Sequence, residues 1–335
     1  MPRFRKLLFP ISLIYGLVVY LRNFFYDSGV FKSRSFDTPL ICIGNLSVGG
    51  TGKTPMTELL IAQLKTDFKL AVLSRGYKRK SKGFMLADET SSVTDLGDEP
   101  FQMYSKFPEV TFAVDADRRN GISWLEENIY PDIILLDDAF QHRKVKPDFS
   151  ILLTSYGDLY SNDWYLPTGN LRDSKNAAKR ADLIIVTKCP QQLSEKEAKK
   201  IITVLKPSEN QKVLFTYLNY SKVLYGSEGE HLLSEFKNSK VSLVTGIANP
   251  RPLIEYLGLN DILFEHINFP DHHFFTEKEL DLLKTKERII TTEKDFVRLK
   301  TELSNLAYIP MKHAFLFDGL SMLQEKLYEF MKPRS

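Results

Sequence analysis

A glycine-rich segment, GNLSVGGTGKTP at residues 44–55, constrains the fold of this chain more than any other feature. The apolar run 39–43 precedes it, and the helix-like run 56–64 follows it. A strand, a glycine-rich turn and a helix in this order form a phosphate cradle, because backbone N–H groups and the helix N-terminus both attract an anion. The segment therefore predicts a P-loop.

The segment matches the Walker A pattern G-x-x-x-x-G-K-[ST] at its end but not at its start. Gly52, Lys53 and Thr54 complete the pattern, whereas Ser47 stands where its first glycine is expected. We predict that Lys53 reaches the β- and γ-phosphates of ATP and that the Thr54 hydroxyl ligates Mg²⁺. The predicted nucleotide-binding residues are Ser47, Val48, Gly49, Gly50, Thr51, Gly52, Lys53 and Thr54.

Composition limits the class of protein. The 335 residues are 43% hydrophobic, which is enough for one large or two medium domains. A net charge of +3 creates no strong field toward nucleic acid, so no nucleic-acid partner is expected. Cys42 and Cys189 each adjoin an apolar run, which predicts buried free thiols in a reducing compartment.

The first 26 residues carry four basic side chains and no acidic one, around an apolar run at 7–21 that Pro10 interrupts. This run is shorter than the ~20 residues that a spanning helix needs, and no A-x-A-like cleavage site follows it. Aromatic residues at 24–26 suit an anchor at the lipid headgroups. We therefore expect residues 1–30 to form a helix in or on the cytoplasmic leaflet; the alternative is an apolar helix packed on the core.

Short aliphatic runs alternate with helix-like segments along the chain. This alternation predicts an α/β fold with a mostly parallel sheet flanked by helices and with ligands at the carboxyl ends of the strands. The loop 44–54, Ser74-Arg75-Gly76 and Asp137-Asp138 should then meet in space. The predicted strands are residues 39–44, 69–74, 110–114, 132–137, 149–154 and 182–188.

A second α/β pattern begins after a polar stretch at 219–232, which we interpret as a connector. The predicted organisation is a core domain at 36–218 and a smaller C-terminal α/β domain at 238–335.

Three further segments carry candidate catalytic groups. Asp137 and Asp138 follow an aliphatic strand, which is a Walker B arrangement for holding Mg²⁺. In GDEP (97–100), Asp98 is a candidate to orient an attacking hydroxyl and accept its proton, although an acidic surface turn is the plain alternative. In FPDHHFF (269–275), adjacent histidines diverge too much to favour a metal site, and a surface loop is the plain alternative. A histidine beside a carboxylate can set the charge state and orientation of that carboxylate, but such a role for His272 rests on the family resemblance.

Together these segments resemble the tetraacyldisaccharide 4′-kinase family, the lipid A 4′-kinases of Gram-negative bacteria. The resemblance implies a P-loop core joined to a smaller domain, with the site in the cleft between them. It implies ATP-dependent phosphorylation of the 4′-hydroxyl of tetraacyldisaccharide 1-phosphate, giving lipid IVA, at the cytoplasmic face of the inner membrane. The motifs, in order, are GNLSVGGTGKTP, LSRGY, GDEP, DRRNG, LDDAFQHR, PTGNLRD, FPDHHF and TTEKD.

The resemblance also implies roles for individual residues. Asp98, His272 and Lys53 resemble the catalytic residues, with Mg²⁺ and ATP as cofactors. Asp173 stands where the family more often has glutamate, and Lys78 follows LSRGY where glycine is common. The implied Mg²⁺ residues are Thr54, Asp137, Asp138 and Asp173.

Two other P-loop classes remain open at this point. A soluble ligase of cofactor biosynthesis shares GGTGKT but leaves the N-terminal segment unexplained. A membrane-bound switch ATPase shares VGGTGKT, but such proteins typically carry a lysine where Val48 stands. Release of ADP that depends on a lipid disaccharide would separate a kinase from a switch.

Overall fold

A computed structural model describes residues 3–227 and 229–332 of the chain. The strands are β1 (Leu40–Asn45), β2 (Leu70–Ser74), β3 (Met85–Leu86), β4 (Thr111–Val114), β5 (Ile133–Asp137), β6 (Phe149–Ser155), β7 (Leu183–Thr187), β8 (Lys212–Tyr220), β9 (Val223–Gly226), β10 (Gly229–Leu232), β11 (Val241–Thr245), β12 (Phe264–Asn268), β13 (Arg288–Thr292), β14 (Leu306–Ile309) and β15 (Met311–Phe315). The α-helices are α1 (Phe9–Asp27), α2 (Lys53–Leu64), α3 (Val93–Leu96), α4 (Asp98–Lys106), α5 (Arg118–Asn128), α6 (Glu195–Leu205), α7 (Arg251–Leu259), α8 (Glu277–Lys284), α9 (Glu293–Leu299) and α10 (Gly319–Met331). Short 3-10 helices lie at Arg3–Leu8, Tyr160–Asn162, Lys175–Arg180 and Leu233–Phe236.

The first sheet has the strand order β15-β8-β7-β6-β1-β5-β2-β4-β3. Its strands from β8 to β4 are parallel, and β15 and β3 pair antiparallel at the edges. All six strands predicted from aliphatic runs are present, because such runs suit strands covered on both faces. Neighbouring residues of β1 enter opposite core clusters, Cys42 on one face and Ile43 on the other. The predicted mostly parallel α/β fold is confirmed, and Cys42 and Cys189 are buried free thiols.

The second sheet has the order β10-β9-β14-β13-β11-β12, with its four C-terminal members parallel and β9 and β10 antiparallel. The stretch 219–232, which we interpreted as a connector, instead holds the end of β8 and the hairpin of β9 and β10. Most side chains of this edge hairpin are at least partly exposed, so its composition is polar although its backbone is regular. Polarity alone therefore does not separate an edge hairpin from a loop.

The C-terminal segment returns to the first sheet. β15 pairs with β8, and α10 places Leu323 and Leu327 in the core beneath that sheet. Sheet membership therefore differs from the predicted division at 238–335: residues 223–232 join the second sheet, and residues 311–331 belong with the first. Residues 333–335 lie outside the described part of the chain. The five-residue β15 has no distinctive pattern, and its partner precedes it by about ninety residues.

Two neighbouring connections join the units. β8 continues into β9, and β14 continues into β15, with the N–H of Ser221 donating to the carbonyl of Pro310 at 2.9 Å. A second contact lies between α4 and α9, where the ammonium of Lys106 is 2.5 Å from Glu58 of α2 and 2.9 Å from Glu293 of α9. The cleft between the sheets is thus fixed at two places.

The N-terminal helix α1 packs one face on the first unit. Ser12, Gly16, Val19 and Asn23 form its buried stripe. The Ser12 hydroxyl donates to Thr168 at 2.8 Å, and the lack of a side chain at Gly16 admits the ring of Tyr165, which a Cβ would meet at 2.8 Å.

The opposite face of α1 is apolar and exposed. Its exposed residues include Leu13, Leu17 and Phe24, which are 59%, 56% and 51% exposed. The segment Arg5–Asp27 is long and apolar enough to cross a membrane by length and composition. The expectation that the apolar run 7–21 is too short to span is therefore not supported, because the helical segment extends beyond that run at both ends. Pro10 does not interrupt the helix, since it lies in the first turn of α1, where no helical hydrogen bond is lost.

Candidate active site

The P-loop has the predicted strand, turn and helix. β1 ends at Asn45, and α2 begins at Lys53 directly after Gly52. Gly49 and Gly52 have φ values of +114° and +84°, a region in which side chains are strained. The glycines at these two positions are therefore required by the backbone of the turn.

Side chains from the end of β7 and from the middle of β15 hold three consecutive carbonyls of this loop. Lys188 donates to the carbonyl of Gly50, the Thr187 hydroxyl to that of Thr51 at 2.8 Å, and His313 to that of Gly52 at 2.9 Å. Within the part of the chain that the structure describes, the N–H groups of Gly49, Gly50 and Gly52 donate to no protein acceptor. The loop is therefore prepared to accept an anion on its N–H side.

Ser47 and Val48 attach the start of the loop to a neighbouring turn. The Ser47 hydroxyl donates to Asp163 at 3.1 Å, and the N–H of Val48 donates to the carbonyl of Asn170 at 2.7 Å. The departure of Ser47 from the Walker pattern thus has a local use, since its side chain fixes the entry to the loop.

The carboxyl ends of three strands meet beside the P-loop, as predicted. The Ser74 hydroxyl donates to Asp137 at 3.1 Å, and the ammonium of Lys53 lies 3.8 Å from a carboxylate oxygen of Asp138. Arg172 also pairs with Asp138. In the structure, Lys53 and the second aspartate of the Walker B pair therefore neutralise one another.

The two aspartates have opposite electrostatic environments. Burial, followed by the charge of Asp138, raises the pKa of Asp137 to about 6. Burial opposes ionisation of Asp138 as well, but Lys53 and Arg172 outweigh it and lower the pKa of that carboxyl. Hard oxygen donors with excess negative charge suit Mg²⁺. Thr54 is partly buried at the start of α2. Its hydroxyl and the two carboxylates are oxygen donors of the kind that Mg²⁺ takes, and a magnesium site shared by the three residues stays a prediction.

Asp173 has partners different from those we predicted. Its carboxylate is completely buried, where it accepts from Asn23 of α1 at 2.7 Å and pairs with Arg180 at 3.2 Å. These contacts direct Asp173 toward the N-terminal helix, and no described contact joins it to Asp137 or Asp138. The neighbouring Arg172, rather than Asp173, reaches the Walker B pair.

Asp98 and His272 meet across the cleft, 174 residues apart in sequence, with Nδ1 of the histidine hydrogen-bonded to the carboxylate. Asp98 begins α4, and His272 lies in the loop after β12 with φ of +61°. The Tyr77 ring of the LSRGY segment packs edge-on against the imidazole at 5.7 Å. The structure therefore brings together three motifs that are far apart in the sequence.

Two cations from α9 complete this group, and neither was singled out from the sequence. Nε of Arg298 donates to Asp98 at 2.8 Å, and Nζ of Lys294 lies 3.0 Å from Nε2 of His272. Burial raises the pKa of Asp98, but hydrogen bonds from His272 and Arg298 outweigh burial, and the net pKa is lowered. The i, i+4 spacing within TTEKDFVRLK was the available signal, since it places both cations on one helix face.

Tautomer and charge follow from these partners. An ionised carboxylate only accepts and an ammonium only donates. His272 therefore carries its proton on Nδ1, toward Asp98, and presents a lone pair on Nε2, toward Lys294. A histidine oriented by a carboxylate in this way is arranged to accept a proton at Nε2.

The other histidine of FPDHHFF has a structural environment. His273 stacks on Phe269 with ring centroids 4.9 Å apart and contacts Glu279 at 2.9 Å. Donor atoms of Asp98, Glu99 and His272 lie within 4.8 Å of one another. Arg298 and Lys294 already pair with the two carboxylates of that group, Asp98 and Glu99 respectively.

The two arginines of DRRNG contact other residues of the protein. Arg118 is 2% exposed and donates to the main-chain carbonyls of Asp115, at 2.7 Å, and Asp137, at 3.2 Å. Arg119 is half-buried and pairs with Asp117. Arg118 therefore supports the end of β5, where the Walker B pair begins.

The buried histidine at the P-loop predicts a pH effect on stability. Burial lowers the pKa of His313 to about 4, below the ~6.5 of an unfolded histidine. The native state thus binds fewer protons, and stability falls as pH drops from about 6.5 toward 4. Between pH 7 and pH 5 the loss from His313 is about 2 kcal/mol. Urea unfolding at both pH values should show a smaller loss for His313→Gln; an equal loss in both proteins would contradict the prediction.

Comparison with known proteins decides the family. A family model described as tetraacyldisaccharide-1-P 4′-kinase matches residues 4–331. The chain belongs to the tetraacyldisaccharide 4′-kinase family. A tetraacyldisaccharide 4′-kinase of Flavobacterium johnsoniae is 53% identical over 319 residues, covering 93% of each chain. One of Phocaeicola vulgatus is 43% identical and covers 99% of this chain and 97% of its own.

A solved structure of a member of the same family has a similar fold. LpxK from Aquifex aeolicus, described as the "apo" form in complex with ATP, has a TM-score of 0.79 and 30% identity, covering 98% of this chain and 99% of its own. The resemblance inferred from the motifs is thus confirmed. Family membership makes the chain a P-loop kinase and excludes the ligase and the switch ATPase.

Proposed function

We propose that this chain transfers the γ-phosphoryl group of ATP to the 4′-hydroxyl of tetraacyldisaccharide 1-phosphate, giving lipid IVA in lipid A biosynthesis. The observation that carries the proposal is the hydrogen bond between Asp98 of the first unit and His272 of the second, in the cleft beside a P-loop. The GDEP segment also interacts electrostatically with the Walker B pair, since the charge of Glu99 contributes to raising the pKa of Asp137.

In this proposal the P-loop holds the nucleotide. The free N–H groups of Gly49, Gly50 and Gly52 bind phosphate oxygens at the N-terminus of α2. Lys53 leaves Asp138, its partner in the structure, and binds the β- and γ-phosphates. Arg172 remains with Asp138, so that carboxylate is not left unpaired.

Asp98 and His272, which we call the dyad, orient the acceptor hydroxyl and take up its proton. The sequence pointed to Asp98 as the acceptor of the proton, but its carboxylate is already bound by His272 and Arg298. In this proposal Asp98 keeps the Nδ1 proton of His272 in place, and Nε2 of the histidine accepts the proton that the 4′-hydroxyl loses. Lys294 contacts Nε2 in the structure, so the acceptor hydroxyl replaces it there and the ammonium can turn toward the transferred phosphate. Phosphoryl transfer depends mainly on positioning and electrostatics, which such a group supplies.

Thr54, Asp137 and Asp138 would hold Mg²⁺ in this proposal. A magnesium ion bound there would neutralise charge on the β- and γ-phosphates. Asp173, in contrast, would attach α1 to the core, because Asn23 and Arg180 already hold its carboxylate.

Incubation with ATP and tetraacyldisaccharide 1-phosphate, followed by mass analysis, tests the activity. We expect one added phosphate on the lipid and release of ADP that depends on the lipid. ADP release without a phosphorylated lipid would instead identify a hydrolase and contradict the proposal.

We also propose that α1 binds the cytoplasmic face of the inner membrane with its exposed apolar side. Its buried stripe is held by the core, so lipid can surround only the opposite side. Basic residues contribute less than the sequence suggested, because Arg5 donates to the carbonyl of Pro167 at 2.8 Å and Arg22 to that of Gln141. Lys6 is exposed, whereas the side chain of Arg3 lies outside the described part of the chain. Apolar burial should therefore dominate binding.

Replacing Leu13, Leu17 and Phe24 together by serine should abolish most membrane binding. Full burial of each side chain is worth about 1.5–3 kcal/mol, so the three together should lower partitioning onto vesicles at least ~10²-fold. Flotation with phosphatidylethanolamine and phosphatidylglycerol vesicles measures the effect. Val204→Ser is the control, since Val204 is an apolar residue that is 41% exposed on a different helix, α6. Complete release of the unaltered protein by high salt would show that charge, not apolar burial, holds it.

A further inference from the structure

The carbonyl of Gly52 has a donor from a distant part of the chain. Thr187 and Lys188, which hold the carbonyls of Thr51 and Gly50, lie at the end of β7, next to β6 in the sheet. His313 lies 261 residues after Gly52, on β15, and no motif of the sequence pointed to it. The last strand of the first sheet therefore completes the set of contacts around the P-loop.

His313 is held in one orientation and one tautomer. Its Nε2 is 2.9 Å from the Gly52 carbonyl, which can only accept, so Nε2 carries the proton. Nδ1 then accepts from the hydroxyl of Thr216 on β8, 3.0 Å away. The side chain is 5% exposed, and burial keeps it neutral at ordinary pH because its pKa is about 4. Both nitrogens are thus committed to fixed partners.

This contact controls the direction of the next N–H group. A peptide unit is planar and trans, so the Gly52 carbonyl and the Lys53 N–H point in opposite directions. The Gly52 carbonyl also accepts the first hydrogen bond of α2, from the N–H of Met56 at 3.2 Å, so His313 adds a second donor to it from the β15 side. With the carbonyl held by both donors, the Lys53 N–H faces away from them. The approach is close, since a Cβ on Gly52 would lie 2.8 Å from Nε2 of His313. Gly52 is in the left-handed conformation, with φ of +84° and ψ of +30°, and it is ψ that sets the direction of its carbonyl.

We propose that His313 is a positioning residue for nucleotide binding, which acts by fixing the Gly52–Lys53 peptide of the P-loop. β15 follows β14 of the second sheet after Pro310 alone, so the contact also ties the loop to the strand that leaves the C-terminal unit. The proposal rests on ATP being the phosphate donor, as proposed above. It concerns binding of the phosphates and assigns His313 no part in proton transfer.

Three substitutions separate the contact from the general effect of altering a buried residue. His313→Gln places an amide nitrogen close to the position of Nε2 and can still donate to Gly52. His313→Asn reaches only the position of Nδ1, and His313→Leu fills the space without a donor. We expect His313→Leu and His313→Asn to raise the Kd for ADP and the KM for ATP roughly five- to tenfold, the size expected for one lost hydrogen bond. His313→Gln should stay within about twofold, and the KM for the lipid should not change.

Calorimetric titration with ADP and Mg²⁺, without lipid, measures the Kd, and steady-state kinetics measures the two KM values. Leu323→Val is the matched control, because Leu323 is fully buried in α10 on the same core and has no polar group. It should lower the melting temperature and leave the Kd for ADP unchanged. Thr216→Val, which releases Nδ1, should raise that Kd in the same direction as His313→Leu, as expected if the orientation of the imidazole matters.

Two results would overturn the proposal. One is an unchanged Kd for ADP in a folded His313→Leu protein. The other is a Kd that follows the melting temperature across all the variants, Leu323→Val and His313→Gln included. If the unaltered protein bound no ADP at all, the proposed function itself would fail, which is a distinct outcome.

Discussion

Lys53→Ala is expected to lower kcat at least ~10²-fold, about 2.7 kcal/mol of transition-state stabilisation. Lys53 is the first residue of α2, at the end of the P-loop, and its ammonium lies 3.8 Å from a carboxylate oxygen of Asp138. Charge on the transferred phosphoryl group is spread over its oxygens in the transition state, so a charge-assisted contact there matters more for kcat than for ATP binding. Lipid-dependent ADP release measures kcat directly.

The fold should survive this substitution. Arg172 still pairs with Asp138 when Lys53 is removed, so no carboxylate is left without a cation. Lys65→Ala is the control, because Lys65 follows the other end of α2 and pairs with Glu109 on the surface. That variant should keep kcat and show the small stability change typical of an exposed ion pair. Near-normal turnover by a folded Lys53→Ala protein would contradict the assignment of residues 44–55 as a functional P-loop.

The first sheet was predictable because each of its central strands is buried on both faces. Strands such as β5, whose five residues are all buried, read as unbroken aliphatic runs. Such runs determine strand positions closely, and the alternation with helices determines that the sheet is parallel. The P-loop, Ser74 and Asp137-Asp138 each lie at the carboxyl end of a strand, which predicted one common site. In the structure Ser74 contacts Asp137, and Lys53 of the P-loop lies close to Asp138.

Long-range pairing was not predictable in this way. β15 has five residues, of which only His313 is buried, so no apolar pattern marks it as part of the first sheet. Its position depends on pairing with β8, which is a tertiary property. The role of His313 follows from that pairing and was missed for the same reason.

The structure shows the local surroundings of two residues that depart from the family pattern, Lys78 and Asp173. Lys78 stands where glycine is common, and its φ of +60° is the conformation that glycine adopts without strain. Asp173 was assigned to the metal by resemblance, yet its partners are Asn23 and Arg180, which only the packing of α1 reveals. Its metal role stays a prediction.

The dyad was expected only from the family resemblance, since neither GDEP nor FPDHHFF predicts the other. Its partners Arg298 and Lys294 explain how the structure brings Asp98 and His272 together. Arg298 binds the carboxylate of Asp98 and also donates to the carbonyl of His273 at 2.9 Å, so one side chain joins α4 to the loop that carries His272. Removal of either member of the dyad should therefore leave the loop in place.

Asp98→Asn and His272→Asn should each lower kcat ~10²- to 10⁴-fold, and the double variant should be no worse than the slower single one. General acid–base groups contribute in this range, and residues that act as a unit are non-additive. Asparagine tolerates the left-handed backbone of His272, and it keeps a donor toward Asp98 while removing Nε2. The KM for ATP should stay within about threefold, because the dyad acts on the acceptor hydroxyl. His273→Asn should keep kcat, since that ring stacks on Phe269. Losses that multiply in the double variant would mean that Asp98 and His272 act independently.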